Sequence, residues 1–402
     1  MCGIVGCLSN PPIDLHVALD RIAHRGPDDE GIYIGAGVAL GVRRLSIIDL
    51  AGGHQPLSNE DGSVWIAYNG EVFNAPELRC ELEKTGHRFR THTDTETIVH
   101  AYEHWGAEAI ARLRGMFALA IWDAHQDRLV LARDRFGIKP LQYAEANGRF
   151  AFGSETRSIF AALPELSPRL NHAALRTLFE IGFIPAPLTA FDQVYQLPAA
   201  HILIHEKNQT TIQPYWQLEY PPIDQHRSID LHAAAQEFVK QLHDAVDAWR
   251  MSDVPVGSLL SGGVDSASLA ALLTEISGGQ IHTFTIGFTA ASHDESALAR
   301  ETARFLGSHH HELTFSAHDF DYLPNVVRHL EQPQCSATSV PIYLLYRACH
   351  AAGFKVIMTG EGADELLGGY HWFDGDRRAR KFLRWPQFLR STLAHAPINI
   401  ST

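Results

Sequence analysis

At 402 residues the chain exceeds one ordinary hydrophobic core and calls for two domains or three. Its 45% hydrophobic and 20% charged residues suit a globular protein, and a formal net charge of -13 argues against a nucleic-acid surface, which needs clustered Lys and Arg. No run of ~18 apolar residues predicts a membrane span, and five cysteines without a CxxC pair argue against a disulfide framework or a cysteine zinc site.

Met1-Cys2-Gly3-Ile4 has no basic leader and the chain soon reaches Pro11 and Pro12, so no signal peptide is expected and a cytoplasmic location is. Removal of Met1 would leave a free α-amino group on Cys2. Such an amine has a pKa of about 7.7 to 8.0 and can take the thiol proton of its own residue. A buried structural cysteine fits position 2 as well. Downstream stand His24-Arg25-Gly26-Pro27-Asp28, Arg44-Leu45-Ser46-Ile47-Ile48-Asp49, Gln55-Pro56-Leu57, Asn69-Gly70-Glu71 and Asp94-Thr95-Glu96. Taken alone, Asn69-Gly70 fits a type I′ turn and Asp94 fits a helix N-cap. Strands are expected at 64–68, 116–122 and 128–132, a hairpin at Asn147-Gly148, and helices at 76–85 and 95–105 closed by Gly86 and Gly106. Cys80 reads as a buried apolar position.

A stretch holding Pro221 and Pro222 reads as a linker. Beyond it Leu231, Ala235, Phe238, Leu242, Ala245 and Trp249 recur at steps of three and four, predicting a core-packed helix over 230–250 capped by Asp230. Units then alternate: strand 254–260, helix 267–276, strand 281–288, helix 295–306, strand 309–313, helix 339–352 and strand 355–359. That order implies a mostly parallel sheet covered by helices, with ligands at the carboxyl ends of its strands. At one such end Ser261-Gly262-Gly263-Val264-Asp265-Ser266 leads into a helix, gathering free N–H groups and the positive end of the helix dipole for a phosphate. It is no Walker A loop, for it lacks the lysine. At another, Thr359-Gly360-Glu361-Gly362-Ala363-Asp364-Glu365 crowds three acids that repel one another unless a cation is present. Among 24 histidines, His309, His310 and His311 are consecutive in a strand and cannot all reach one ion. The run Arg377, Arg378, Arg380, Lys381 and Arg384 reads as a solvated helix face, and Cys349 as buried.

Taken together and in order behind Cys2, the motifs up to Trp216 resemble the class II glutamine amidotransferase domain, an N-terminal-nucleophile hydrolase. The glycine loop and the glycine–acid loop together resemble the N-type ATP pyrophosphatase domain of glutamine-hydrolysing asparagine synthetases. The resemblance implies an α+β sandwich of αββα layers over 2–216, a linker over 217–229, and an α/β Rossmann-like, mostly parallel sheet domain over 230–402. It implies that Cys2 attacks the carboxamide of glutamine while the Asn69 amide and the Gly70 N–H hold the oxyanion. Arg44, Leu45, Ser46, Ile47, Ile48, Asn69, Gly70, Glu71 and Asp94 would bind glutamine, with Arg44 on the α-carboxylate and Asp94 and Glu71 on the α-ammonium. Leu260, Ser261, Gly262, Gly263, Val264, Asp265, Ser266, Ile286, Thr359 and Gly360 would hold ATP, Asp265 and Asp364 would hold Mg2+, and Glu361 would act at the acyl-adenylate step.

The activity implied is a carbon–nitrogen ligation, L-aspartate to L-asparagine through β-aspartyl-AMP, using ammonia from L-glutamine and releasing AMP, pyrophosphate and L-glutamate. A sister enzyme amidating another carboxylate and a chain retaining only glutaminase activity are the alternatives. L-glutamine and L-aspartate are the expected small-molecule partners, with no nucleic acid, no membrane and a homodimer as the assembly. The family pattern continues past the glycine–acid loop into a helical region with a phosphate-contacting lysine, whereas no family motif is found here from about Phe373. An incomplete synthetase half with an exposed apolar sheet face is therefore expected.

Overall fold

Buried apolar runs, with neighbouring residues facing opposite sides, build the first half. The computed structural model describes residues 1–290 and 294–387, so the last residues of the expected second domain lie outside it. One antiparallel sheet contains β1 (Gly3–Leu8), β2 (Asp29–Gly35), β3 (Val38–Arg44), β8 (Gln142–Ala146), β9 (Arg149–Gly153) and β10 (Val194–Gln196), in the order β10-β8-β9-β1-β3-β2. The other contains β4 (Leu57–Ser58), β5 (Val64–Val72), β6 (Gly115–Asp123), β7 (Arg128–Arg133), β11 (His201–Glu206) and β12 (Gln209–Pro214), in the order β12-β11-β7-β6-β5-β4. Ile4 of β1 and Leu40 of β3 pack with Ala67 and Ala118 between the sheets, while Val5 and Cys7 face the other way. There they meet α1 (His16–Arg21) and α5 (Thr156–Ala162) through Leu19 and Ile159. On the far side Ile66, Tyr68 and Phe117 pack against α2 (Ala75–Lys84) and α3 (Asp94–Trp105) through Leu78, Ile98 and Tyr102. Strand periodicity of two thus yields four layers, αββα.

The expected hairpin joins β8 to β9, with Asn147 and Gly148 both at positive φ as a type I′ turn requires. Short α4 (Ala109–Arg112) leads to β6, and α6 (His172–Ile181) follows α5. The strand at 64–68 runs on to Val72, so Asn69-Gly70 is paired with Ala118 and Phe117 and forms no turn. Asp94 does not cap α3. Thr93 does, its hydroxyl accepting from Glu96 N at 3.2 Å, and Asp94 turns inward instead. Cys80, expected to be buried, is exposed on α2.

In the second half β13 (Val256–Leu259), β14 (His282–Phe288), β15 (His309–Phe315) and β16 (Val356–Met358) form a parallel sheet in the order β15-β14-β13-β16. Helices α7 (Leu231–Trp249), α8 (Val264–Ser277) and α9 (Ser296–Leu306) cover one face through Val246, Leu269, Leu273 and Ala303. The other is covered by α10 (Leu323–Leu330) and α11 (Ser339–Ala351), where Val326, Leu344, Leu345 and Cys349 meet Phe284 and Phe315. Asp230 caps α7 as expected, accepting from His232 N and Ala233 N, but the expected core stripe is only partly buried: Leu231, Phe238 and Trp249 are exposed, and Val246, outside the stripe, makes the buried contact. His310 and His311 part as expected, to Thr283 and His282 respectively. Unforeseen are α10, short α12 (Ala363–Leu367) and α13 (His371–Leu383), whose outer face carries the basic run. Leu366, Leu367, Trp372 and Leu383 are exposed beside it. Among the described residues no helix is long and apolar enough to cross a membrane.

The halves are joined by polar contacts at the loop after β3. Asp49 N donates to Asp253 Oδ2 at 2.7 Å and Asp253 N returns a bond to Ile47 O at 3.0 Å, just ahead of β13. Lys355, just ahead of β16, bonds Asp28 Oδ2 at 2.7 Å, and that same oxygen accepts from Ser46 N. Arg157 pairs with Glu331 across the same boundary.

Two candidate active sites

Cys2 stands at the start of β1, and its Sγ accepts from Leu45 N at 3.4 Å. Arg25 Nε donates to Cys2 O at 3.0 Å, and Arg25 itself is held by the buried Glu155, so the thiol sits on a braced backbone. A pocket opens beside it, lined by Arg44, Leu45, Ile47, Ile48, Asn69, Gly70, Glu71 and Asp94. Of the expected glutamine residues, Ser46 does not reach it, because its N–H is turned back to Asp28. Asn69 Nδ2 is buried and has no hydrogen-bond partner. A buried donor left unpaired costs on the order of 1 to 3 kcal/mol unless a ligand completes it. Gly70 is required where it stands, since a Cβ would lie 2.3 Å from Met116 O.

The charged groups at the pocket floor are held by local bonds. Asp94 Oδ2 accepts from Tyr68 OH at 2.7 Å and from Val72 N at 2.8 Å, yet burial outweighs both and raises its pKa. Burial also pushes Glu71 up to about 7, with Lys139 opposing and Asp94 adding to the shift. Lys139, itself lowered by burial, reaches into the same pocket and touches Met1 Sδ at 3.1 Å. Arg44 donates to the carbonyls of Ile48 and Asp49 at 2.9 and 2.8 Å, so part of its guanidinium braces the loop.

The second pocket lies at the carboxyl ends of β13, β14 and β16, where the chain crosses from one side of β13 to the other, the position at which open α/β sheets take ligands. Leu260, Ser261, Gly263, Asp265, Ser266, Ile286, Thr359, Gly360, Glu361 and Asp364 line it. Gly262 and Val264, expected to join them, do not: Gly262 N donates to Glu295 Oε2 at 3.2 Å, and Val264 points to solvent. Ser261 Oγ accepts from Gly263 N at 3.1 Å and meets Ser266 Oγ at 2.9 Å, which shapes the loop over the start of α8. Pairing of β13 with β16 brings Gly360 against Asp265 and Ser266. Asp265, Glu295, Glu361, Asp364 and Glu365 all line the pocket, and among the described residues no Lys or Arg does.

Residues 1–216 match the family described as glutamine amidotransferase domain, and residues 237–399 that described as asparagine synthase. The chain is 35% identical to asparagine synthetase (glutamine-hydrolyzing) 1 of Bacillus subtilis (strain 168), over 98% of this chain and 63% of that protein. To the putative asparagine synthetase (glutamine-hydrolyzing) 2 of Methanocaldococcus jannaschii it is 32% identical, over 99% of this chain and 81% of the relative. The chain belongs to the glutamine-hydrolysing asparagine synthetase family. It spans less than two thirds of the length of the Bacillus relatives, 63% of one and 52% of another. Amidase chyE of Penicillium rubens is also similar, 34% identical over 93% of this chain and 57% of its own.

Against the family's motifs, several lining residues escape sequence reading. Lys139 and Thr93 enter the first pocket, and Thr285, Glu295 and Tyr370 the second. Gln55 carried a signal in Gln55-Pro56-Leu57, and its Oε1 accepts from Tyr68 N at 2.9 Å to hold β5 beside the pocket. Lys139 carried none, for it arrives from the segment between β7 and β8 with no neighbouring motif.

Proposed function

We propose that the chain hydrolyses L-glutamine at Cys2 and uses the ammonia at the second pocket to amidate the β-carboxylate of L-aspartate, activated by ATP. The observation that carries the reading is the buried, unpartnered Asn69 Nδ2 beside the Cys2 thiol. With Met1 removed, the Cys2 amine would take the thiol proton as sulfur attacks the carboxamide carbon. Burial pulls the Met1 amine at this mouth down to about 5, the direction that keeps an amine placed there unprotonated. The Asn69 amide and Gly70 N–H would stabilise the oxyanion, and the amine would return its proton to the departing ammonia. Water would then release glutamate from the thioester. Arg44 would hold the α-carboxylate, and Asp94 with Glu71 the α-ammonium.

At the second pocket the Ser261–Ser266 turn and the first N–H groups of α8 would hold the pyrophosphate end of ATP. Five carboxylates with no Lys or Arg beside them among the described residues fit a divalent cation brought with the phosphates, and Asp265 and Asp364 would supply the hard oxygen ligands that Mg2+ takes in such sites. Bound there, Mg2+ would neutralise charge on the phosphates. The aspartate β-carboxylate would displace pyrophosphate from the α-phosphorus, and ammonia would then displace AMP from the acyl carbon, with Glu361 taking the surplus proton. Likeness to amidase chyE supports a second reading, in which another carboxylate is the acceptor.

The test is release of pyrophosphate and asparagine by the purified chain with Mg-ATP and aspartate, comparing glutamine with ammonium chloride. Product from both donors is expected. Glutamate release with pyrophosphate at background for either donor would defeat the aspartate assignment, and a panel of other carboxylates would then decide the second reading.

A further inference from the structure

Away from both pockets, on the outer layer of the first domain, four side chains from separate segments converge. Glu60 lies in the turn between β4 and β5, His87 follows α2, and His100 and Glu103 stand one turn apart on α3. One donor atom of each lies within 4.8 Å of all the others. We propose that they form a site for a divalent transition metal of the Zn2+ class.

Three observations carry this. His100 Nδ1 lies 3.3 Å from Glu103 Oε2 and 3.5 Å from Glu60 Oε2, and His87 Nδ1 lies 3.5 Å from Glu103 Oε2. Those spacings are long for charge-assisted hydrogen bonds but match the edge of a tetrahedron, about 3.3 to 3.4 Å for metal bonds of 2.0 to 2.1 Å. The far atoms are held by a second layer of partners: Asn59 Nδ2 donates to Glu103 Oε1 at 3.1 Å, Arg88 N to Glu60 Oε1 at 3.2 Å, and His87 Nε2 meets His104 Nδ1 at 3.4 Å. Outer-layer bonds of this kind fix ligand orientation and tautomer. His100 is buried and its Nε2 has no hydrogen-bond partner, facing the buried Glu96 Oε1 at 3.8 Å. A carboxylate behind an imidazole is the arrangement that aims the opposite ring nitrogen at a metal.

Two imidazoles and two carboxylates balance one divalent ion in charge. The mixed nitrogen and oxygen set selects Zn2+, Co2+ or Ni2+ over Mg2+ and Ca2+, which prefer oxygen alone. A bound ion would tie the 60-turn and the end of α2 to α3, whose first turn supplies Asp94 and Thr95 to the glutamine pocket.

The test uses the full chain with Cys2→Ser, which removes the pocket thiol from competition, stripped by chelator and titrated with Co2+ and Zn2+. One equivalent beyond whatever the acidic second pocket and the exposed Cys80 and Cys335 take up should bind and be lost in the ligand variants below, Co2+ there should show the intense visible bands of four-coordinate geometry, and Zn2+ should raise Tm by several degrees. His87→Ala and Glu103→Gln should each abolish the bands and weaken binding roughly 100-fold or more, and His104→Ala roughly tenfold. Metal-free Glu103→Gln should keep the parent's Tm and circular dichroism, which separates loss of a ligand from loss of fold. Absence of saturable binding, or binding unchanged in both ligand variants, would overturn the site and leave a hydrogen-bonded histidine–carboxylate cluster.

Discussion

The two pockets are built on opposite plans. Around Cys2 the working groups are sealed before any ligand arrives: Arg44 and Asp94 are 6% exposed and Asn69 1%. Around the Ser261 turn the groups are open, with Ser261, Asp265 and Glu361 all exposed. The first sits between two large sheets covered on both sides, the second on the rim of a four-stranded sheet. Preorganisation of the first fits the proposed reaction, which has one oxyanion to stabilise, whereas the second, on the same proposal, would admit a nucleotide and a cation before its acids are balanced.

If the pockets are independent catalysts, single variants separate them. Cys2→Ala should lower glutamine-dependent product roughly 10⁴-fold or more while pyrophosphate release with ammonium chloride is retained. Asp265→Asn should do the reverse, removing pyrophosphate release with either donor and sparing glutaminase. A variant that lowered both activities together would break the comparison, and the bonds joining Asp253 to Ile47 and Asp49 would be the first place to look. Next in size is Asn69→Ala, expected to cost ~10² to 10³ in glutaminase kcat. Because that amide is unpaired in the fold, the same change should leave Tm level or higher. A large fall in Tm would mean that the amide is structural.

How much of this was legible depended on whether the deciding contact was local. The Asn147-Gly148 hairpin was readable because positive φ at both positions is a property of the dipeptide. Asn69-Gly70 was ambiguous by the same rule, and only pairing with β6 settles it as strand. Thr93 and Asp94 are both cap residues, and burial beside Tyr68 decides between them, a tertiary fact. The two glycine loops stood out in the sequence at strand ends, and the strand order puts them side by side. Lys139 and the cluster of Glu60, His87, His100 and Glu103 were invisible as groups because their members come from distant segments. Only the pairing of His100 with Glu103 at helical spacing left a trace.

A smaller effect tests the cost of sealing the first pocket. Glu71 faces Lys139, Asp94 and the Met1 amine, and burial raises its carboxyl from an ordinary 4.5 to about 7. A carboxyl raised on folding contributes stability that is full below its unfolded value and is lost as pH rises through the folded one. The chain without ligand should therefore lose on the order of 3 kcal/mol between pH 4.5 and pH 8, and Glu71→Gln should remove that slope. Glutamine should also remove it in the parent, since an α-ammonium at Glu71 favours the charged form. A slope identical in parent and variant would place the proton on another group.

The smallest test compares the two halves through their helix caps. Thr93 is buried and its hydroxyl accepts from Glu96 N, while the exposed Asp230 accepts from His232 N and Ala233 N. A cap replaced by Ala typically costs about 1 kcal/mol, with a range of about 0.5 to 2 set by its surroundings. At Asp230 water can solvate the freed N–H groups, so denaturant unfolding of Asp230→Ala should fall at the low end, about 0.5 kcal/mol. At Thr93 no water replaces the hydroxyl and α3 loses the residue that aims Asp94 inward, so Thr93→Ala should approach 2 kcal/mol and raise KM for glutamine. Equal costs at the two caps would mean that the first pocket is less sealed than its burial implies. A stability loss at Thr93 with KM unchanged would mean that the bonds from Tyr68 and Val72 alone hold Asp94 in place.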